Sequence, residues 1–191
     1  VGVAMAASWN DDLAREVGSA IAREAIAYGV DVLLAPAINI QRTPLGGRNF
    51  ETYSEDPHLA GDIAAAYIEG VQSQGVGTSL KHYAANNQEH ERMRGSSNMS
   101  QRVLREIYLA AFEKAIRRSN PWTIMSAYNR VNGTYASEHR QLLTDILRDE
   151  WGYDGVVVSD WGAAKSTIAS VRNGLDLEMP GPGRHYGQPL E

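Results

Sequence analysis

Asp160 ends the run VVVSDWGA, in which three valines lead through a serine to a carboxylate, then to Trp161 and a glycine. A carboxylate at the end of a buried strand stands between dry core and cleft, where it can be held rigidly and aimed as a nucleophile must be. It is equally well placed to cap a helix beginning near Ala163. Lys81 and His82 close a second run, GTSLKH. Strict alternation sends their side chains to opposite faces, but twist at a strand end lets both reach the mouth. The plainer roles are a solvated charge for Lys81 and a structural histidine for His82. Arg48 lies in GGRNFE, where paired glycines let the chain turn tightly and the guanidinium offers planar donors to hydroxyls or a carboxylate. A purely structural Arg48 would tie its loop to Glu51 or Glu55. Tyr128 and Trp161 have an apolar face and a polar edge, suited to stacking on a sugar ring, although core packing uses the same features.

Other chemistries are less well supplied. Cysteine is absent, which removes thiolate metal sites, disulfides and cysteine nucleophiles together. In NNQEHER, Glu89 and His90 are adjacent rather than one helical turn apart, and no second histidine has ligand spacing, so no metal site is expected. No cofactor is called for either, since no GxGxxG follows any apolar run. The net charge is -5 and the basic residues are scattered, which gives no footprint for nucleic acid. No stretch reaches the length of a membrane span, and the opening VGVAMAASWNDDL lacks the basic region of a signal peptide. A neutral or weakly charged small molecule is the expected partner.

These residues need elements to hold them. Six short apolar runs, Gly2 to Ala6, Val30 to Pro36, Gly77 to His82, Trp122 to Tyr128, Gly155 to Ser159 and Gly174 to Met179, alternate with segments of helical spacing. The helical segments are Asp11 to Tyr28, His58 to Gln74, Ser100 to Arg118 with Ser100 as N-cap, Glu138 to Trp151, and Ala163 to Asn173. Such alternation predicts an α/β fold with a parallel sheet and right-handed crossovers. The connection from Asn39 to Pro57 is long enough to be functional, and a second polar stretch runs from Asn86 to Asn98.

Every unusual polar cluster falls just after an apolar run, at the edge where α/β barrels and open sheets bind ligands. Spread over five strand ends, the clusters fit a (β/α)8 TIM-barrel-like fold better than a Rossmann sheet. With about six βα units, residues 1–191 are expected to form a partial barrel.

Taken together, LGGRNFETYSEDPHLAG, SLKHYAANNQEHERM, LREIYLAAFEKAI, IMSAYNRVNG, LLTDILRDEWGYDGVVVSDWGA and GLDLEMPG resemble glycoside hydrolase family 3, the β-glucosidase group, in order and approximate spacing. The resemblance implies a barrel domain followed by an α/β sandwich domain that completes the active site and lies outside these 191 residues. It implies that Asp160 is the catalytic nucleophile. It also implies that Arg48, Lys81, His82 and Tyr128 bind sugar or brace that nucleophile, that Trp161 forms a subsite wall, and that Met125 lies close by. Two further family residues have no match here: an aspartate near the start of the barrel, and the acid/base glutamate, supplied by the second domain.

The implied reaction is retaining hydrolysis of terminal non-reducing β-D-glucosyl residues from β-glucosides or cello-oligosaccharides. It needs two carboxyl groups about 5 to 5.5 Å apart, one attacking and one protonating the leaving oxygen. A charged Lys81, and a protonated His82, would favour the ionised nucleophile. A β-xylosidase of the same family and a non-catalytic carbohydrate-binding remnant are the alternatives. A Schiff-base role for Lys81 in an aldolase-type barrel is a weaker one. The family's β-N-acetylglucosaminidases carry a different loop after the KH pair, which AANNQEH does not resemble.

Overall fold

The computed structural model describes residues 1–187. Its central sheet is a parallel arc of four strands, in the order β1 (Val32–Leu33), β2 (Gly77–Tyr83), β4 (Thr123–Ser126) and β7 (Val156–Ser159). Leu177 adds a parallel bridge to Val158 at the far edge, and Ala37 does the same to Lys81. The arc is part of a barrel wall. Helix α2 (Asp11–Ala27) precedes β1, and between the strands run α3 (Pro57–Gln72) and a composite helix made of α4 (Gln101–Val103), a π-helical turn (Leu104–Tyr108) and α5 (Ala110–Ser119). A ten-residue π-helix, Gln141–Glu150, and the short α6, Ile168–Arg172, complete the set.

The helix starts follow their sequence signals. Asn10 accepts the Leu13 N–H at the start of α2, Asp56 accepts the His58 N–H ahead of Pro57 in α3, and Ser100 Oγ accepts the Val103 N–H at 3.3 Å, as its N-cap position predicts. Helix α3 is buried almost throughout because it lies beneath the sheet between α2 and α5. Its glycines make that possible: a side chain at Gly70 would fall on the carbonyl oxygen of Arg15 in α2. The core is anchored by Tyr83, whose ring meets Phe112 edge-on at 5.2 Å and whose hydroxyl donates to the Leu142 carbonyl at 3.0 Å.

Three expectations change. Gly2–Ala6 is a helix, α1, not a strand, because GVAMA is rich in helix formers and has one β-branched residue in five. Only Ile168–Arg172 of the segment from Ala163 to Asn173 is helical, since serine and threonine in its first half compete for backbone groups. A second, small sheet joins β3 (Ser96–Ser97), β5 (Arg130–Val131) and β6 (Thr134–Tyr135), with Asn132 and Gly133 both at positive φ in the hairpin turn. None of the described helices is long and apolar enough to cross a membrane.

Candidate active site

Asp160 follows directly on β7. Its N–H donates to the Ser126 carbonyl at 3.1 Å, which fixes it to the end of β4. The segment beyond Leu177 supports the same turn from the other side, with Met179 N–H donating to Ser159 Oγ at 2.9 Å and Gly162 N–H to the Met179 carbonyl at 2.9 Å. The side chain is buried, with Oδ1 accepting the Trp161 N–H at 2.8 Å. Oδ2 is also buried and has no hydrogen-bond partner among the described residues. Asp160 therefore does not cap a helix at Ala163, where none begins. The bond to Oδ1 fixes the direction in which the carboxylate points.

Two side chains lie close to the Asp160 carboxylate. His82 Nε2 stands 3.7 Å from Oδ2. The Tyr128 hydroxyl lies near the same carboxylate; burial, then the charge of Asp160, raises its pKa to about 12. Lys81 and His82 both reach this mouth because the register between β2 and β4 shifts at the end of β2.

The cations around the cluster are arranged differently from expectation. Lys81 Nζ lies 3.1 Å from Glu51 Oε1, and Arg48 Nε donates to Glu51 Oε2 at 2.7 Å, so Lys81 pairs with Glu51 and not with Asp160. Burial alone would raise the Glu51 pKa, but Lys81 and Arg48 together hold it below the usual glutamate value. Arg48 thus has the local partner that the structural reading gave it, while its charge also bears on His82 and Tyr128. For His82, burial first, then Arg48, Lys81 and Arg92, push the pKa well below the ordinary histidine value, which opposes a charged imidazole. Met125 is buried in β4, in register with Lys81 on one side and Val158 on the other. Trp161 is partly exposed at the rim.

Three residues that sequence reasoning left out belong to this site. Glu51 bridges two cations, Arg92 lies over the Tyr128 ring at 4.9 Å while pairing with Glu89, and Asn39 bonds to His82. A small polar hollow bounded by Arg48, Glu51, Thr52, His82 and Glu89 adjoins them. Among the described residues no cluster of three or more His, Asp and Glu side chains could hold a metal ion.

The model of the glycosyl hydrolase family 3 N-terminal domain matches residues 2–178. The chain belongs to glycosyl hydrolase family 3. This family 3 chain is 56% identical over 176 residues to an exo-α-(1→6)-L-arabinopyranosidase of Bifidobacterium longum, covering 92% of the chain and 23% of that relative. It is 54% identical, with the same coverage, to the thermostable β-glucosidase B of Acetivibrio thermocellus. β-Glucosidase 3B of Thermotoga neapolitana, solved with α-D-glucose, superimposes with a TM-score of 0.94 at 53% identity over 95% of this chain and 26% of that one. The Kluyveromyces marxianus β-glucosidase, solved with glucose, gives 0.97 at 45% identity over 99% of this chain and 22% of that one. The family 3 chain thus spans about a quarter of the length of the relatives it matches.

Proposed function

We propose that this chain is the barrel part of a retaining β-glucosidase that acts on terminal non-reducing β-D-glucosyl residues, with Asp160 as the nucleophile and the acid/base glutamate supplied by a second, sandwich domain. The observation that carries the reading is the state of the Asp160 carboxylate: buried, tethered through Oδ1 to Trp161 N–H, and unpartnered at Oδ2. Such an arrangement suits a nucleophile, which must be held rigidly and still have an oxygen that can approach carbon.

In the glycosylation step Oδ2 forms a bond to the anomeric carbon as the bond from that carbon to the leaving oxygen breaks. The leaving oxygen takes a proton from the second carboxyl group, and water later reverses the sequence with that group as base. The neighbouring glutamates have other work: Glu51 is shared by Arg48 and Lys81, Glu89 is paired with Arg92, and Glu178 accepts three backbone N–H groups. That commitment supports an acid/base residue from elsewhere. Arg48, Lys81 and Arg92 supply donors for sugar hydroxyls, Tyr128 steadies the charge on Asp160, and Trp161 offers a wall at the rim. Lys81 Nζ is engaged by Glu51 at 3.1 Å and does not stand free for a Schiff base.

The test is trapping. Incubated with a 2-deoxy-2-fluoro-β-glucoside, the full-length protein should carry the sugar on the peptide containing Asp160, and Asp160→Asn should neither label nor turn over. Aryl β-D-xyloside and α-L-arabinopyranoside, assayed beside the β-D-glucoside, separate the glucosidase reading from its neighbours within the family. Labelling elsewhere, or sugar binding without turnover in the full-length protein, would end the proposal.

A further inference from the structure

Asn39 is buried in the segment that follows β1, and every polar contact it makes is with His82. Its Nδ2 donates to the His82 carbonyl at 2.9 Å, and its Oδ1 accepts the His82 N–H at 3.0 Å. This pair of main-chain bonds fixes which way the amide points, because a flipped Asn39 would set N–H against N–H and oxygen against oxygen. The same Oδ1 lies 3.1 Å from His82 Nδ1. An oxygen whose role as acceptor is already fixed can meet that ring nitrogen only if the nitrogen carries the proton.

We infer that Asn39 is a positioning residue that holds His82 as the Nδ1-protonated neutral tautomer, so that Nε2 presents a lone pair to the substrate site. The inference rests on the glycosidase reading for its meaning but not for its geometry. Nε2 and Asp160 Oδ2 face each other across 3.7 Å, and the Nδ1-protonated ring sets no N–H between them. A ligand completes this corner by bringing a donor, as a sugar hydroxyl does and a carboxylate or ether oxygen cannot. The charged groups around His82 agree: Arg48, Lys81 and Arg92 are cations that oppose a charged imidazole, Asp160 faces Nε2, and Glu51 and Glu89, which line the same hollow, are paired with those three cations. In an imidazolium, Nε2–H would pair with Asp160 and blunt the nucleophile.

The experiment uses full-length protein with 15N-labelled histidine, the His82 signals being assigned by their loss in His82→Gln. Long-range 15N–1H spectra should show Nδ1 protonated and Nε2 unprotonated across about pH 5 to 8. Asn39→Asp replaces the amide by a carboxylate that favours the imidazolium. It should raise the His82 pKa into that window and give kcat/KM a new acid limb, with a loss of at least about tenfold below it and recovery above. Asn39→Leu removes the tether, and should lower kcat/KM about tenfold with no new limb and with mixed tautomer signals. An Nε2-protonated or charged His82 in the wild-type spectra, or an Asn39→Asp profile of wild-type shape, would overturn the inference. The wild-type spectra decide the point even if the variants fail to fold. A correct tautomer without fluoroglucoside labelling at Asp160 would sink the glycosidase reading and leave this one standing.

Discussion

Glu51 joins Arg48 to Lys81: one carboxylate oxygen takes the Arg48 Nε–H at 2.7 Å and the other lies 3.1 Å from Lys81 Nζ. Two cations are thereby held side by side at the mouth of the barrel, with the carboxylate offsetting their repulsion. Glu51→Gln keeps the shape and removes the charge that binds them. Hydrogen bonds to charged groups are worth about 1.5 to 3 kcal/mol, so KM for an aryl β-glucoside should rise by about tenfold or more, with a smaller change in kcat. Steady-state kinetics on the full-length variant check this, and an unchanged KM would show that Arg48 and Lys81 hold their places without Glu51.

Tyr128→Phe removes the hydroxyl beside Asp160 and leaves the ring under Arg92. The loss should appear as a fall in kcat of about ten- to a hundredfold with little change in melting temperature, because the hydroxyl acts on the carboxylate and not on the core. With a pKa of about 12, Tyr128 stays protonated throughout the working range. Any alkaline limb in the wild-type profile should therefore persist unchanged in this variant.

Asp160, Lys81, His82 and Tyr128 were legible because a short apolar run ending in a polar group is the written form of a strand meeting a cleft. Asn39, Glu51 and Arg92 were not, because an asparagine, a glutamate or an arginine in a polar loop has a local explanation that serves as well. The i,i+3 spacing of Arg48 and Glu51 did announce their pairing, but the second bond, from Glu51 to Lys81, spans thirty positions and depends on the tertiary fold. Gly2–Ala6 was misjudged as a strand because five apolar residues carry no period that separates strand from helix. The Asn132–Gly133 hairpin was readable in principle from its dipeptide, both residues having positive φ.

Gly70 tests the packing that supports the site. Alanine in mid-helix gains up to about 1 kcal/mol over glycine in intrinsic propensity. Here the added methyl meets the Arg15 carbonyl, part of a backbone that can give way only by pushing α2 and α3 apart. Overpacking of that kind costs about 1 to 3 kcal/mol, so Gly70→Ala should be net destabilising and lower the melting temperature. A neutral or raised melting temperature would mean that the helices separate freely and that the sheet does not depend on their close approach.

Glu178 is buried and accepts N–H groups from Arg184 at 3.0 Å and from His185 and Tyr186 at 2.8 Å each. Burial opposes its charge, but these three N–H donors and nearby His185 prevail and hold its pKa below the ordinary glutamate value. A carboxyl group whose pKa falls on folding contributes stability that is present above its unfolded value and is lost as pH drops through the lowered, folded one. Glu178→Gln puts an amide N–H among the donors that one oxygen now satisfies. The variant should melt lower than wild type at neutral pH, by an amount reflecting about 2 kcal/mol, and the gap should close on acidification as wild type loses the same charge. The next residue, Met179, ties the turn on both sides of Asp160, so the displaced anchor should also slow fluoroglucoside labelling of Asp160 at neutral pH. A melting difference that persists unchanged in acid would show that shape, and not charge, is what Glu178 contributes.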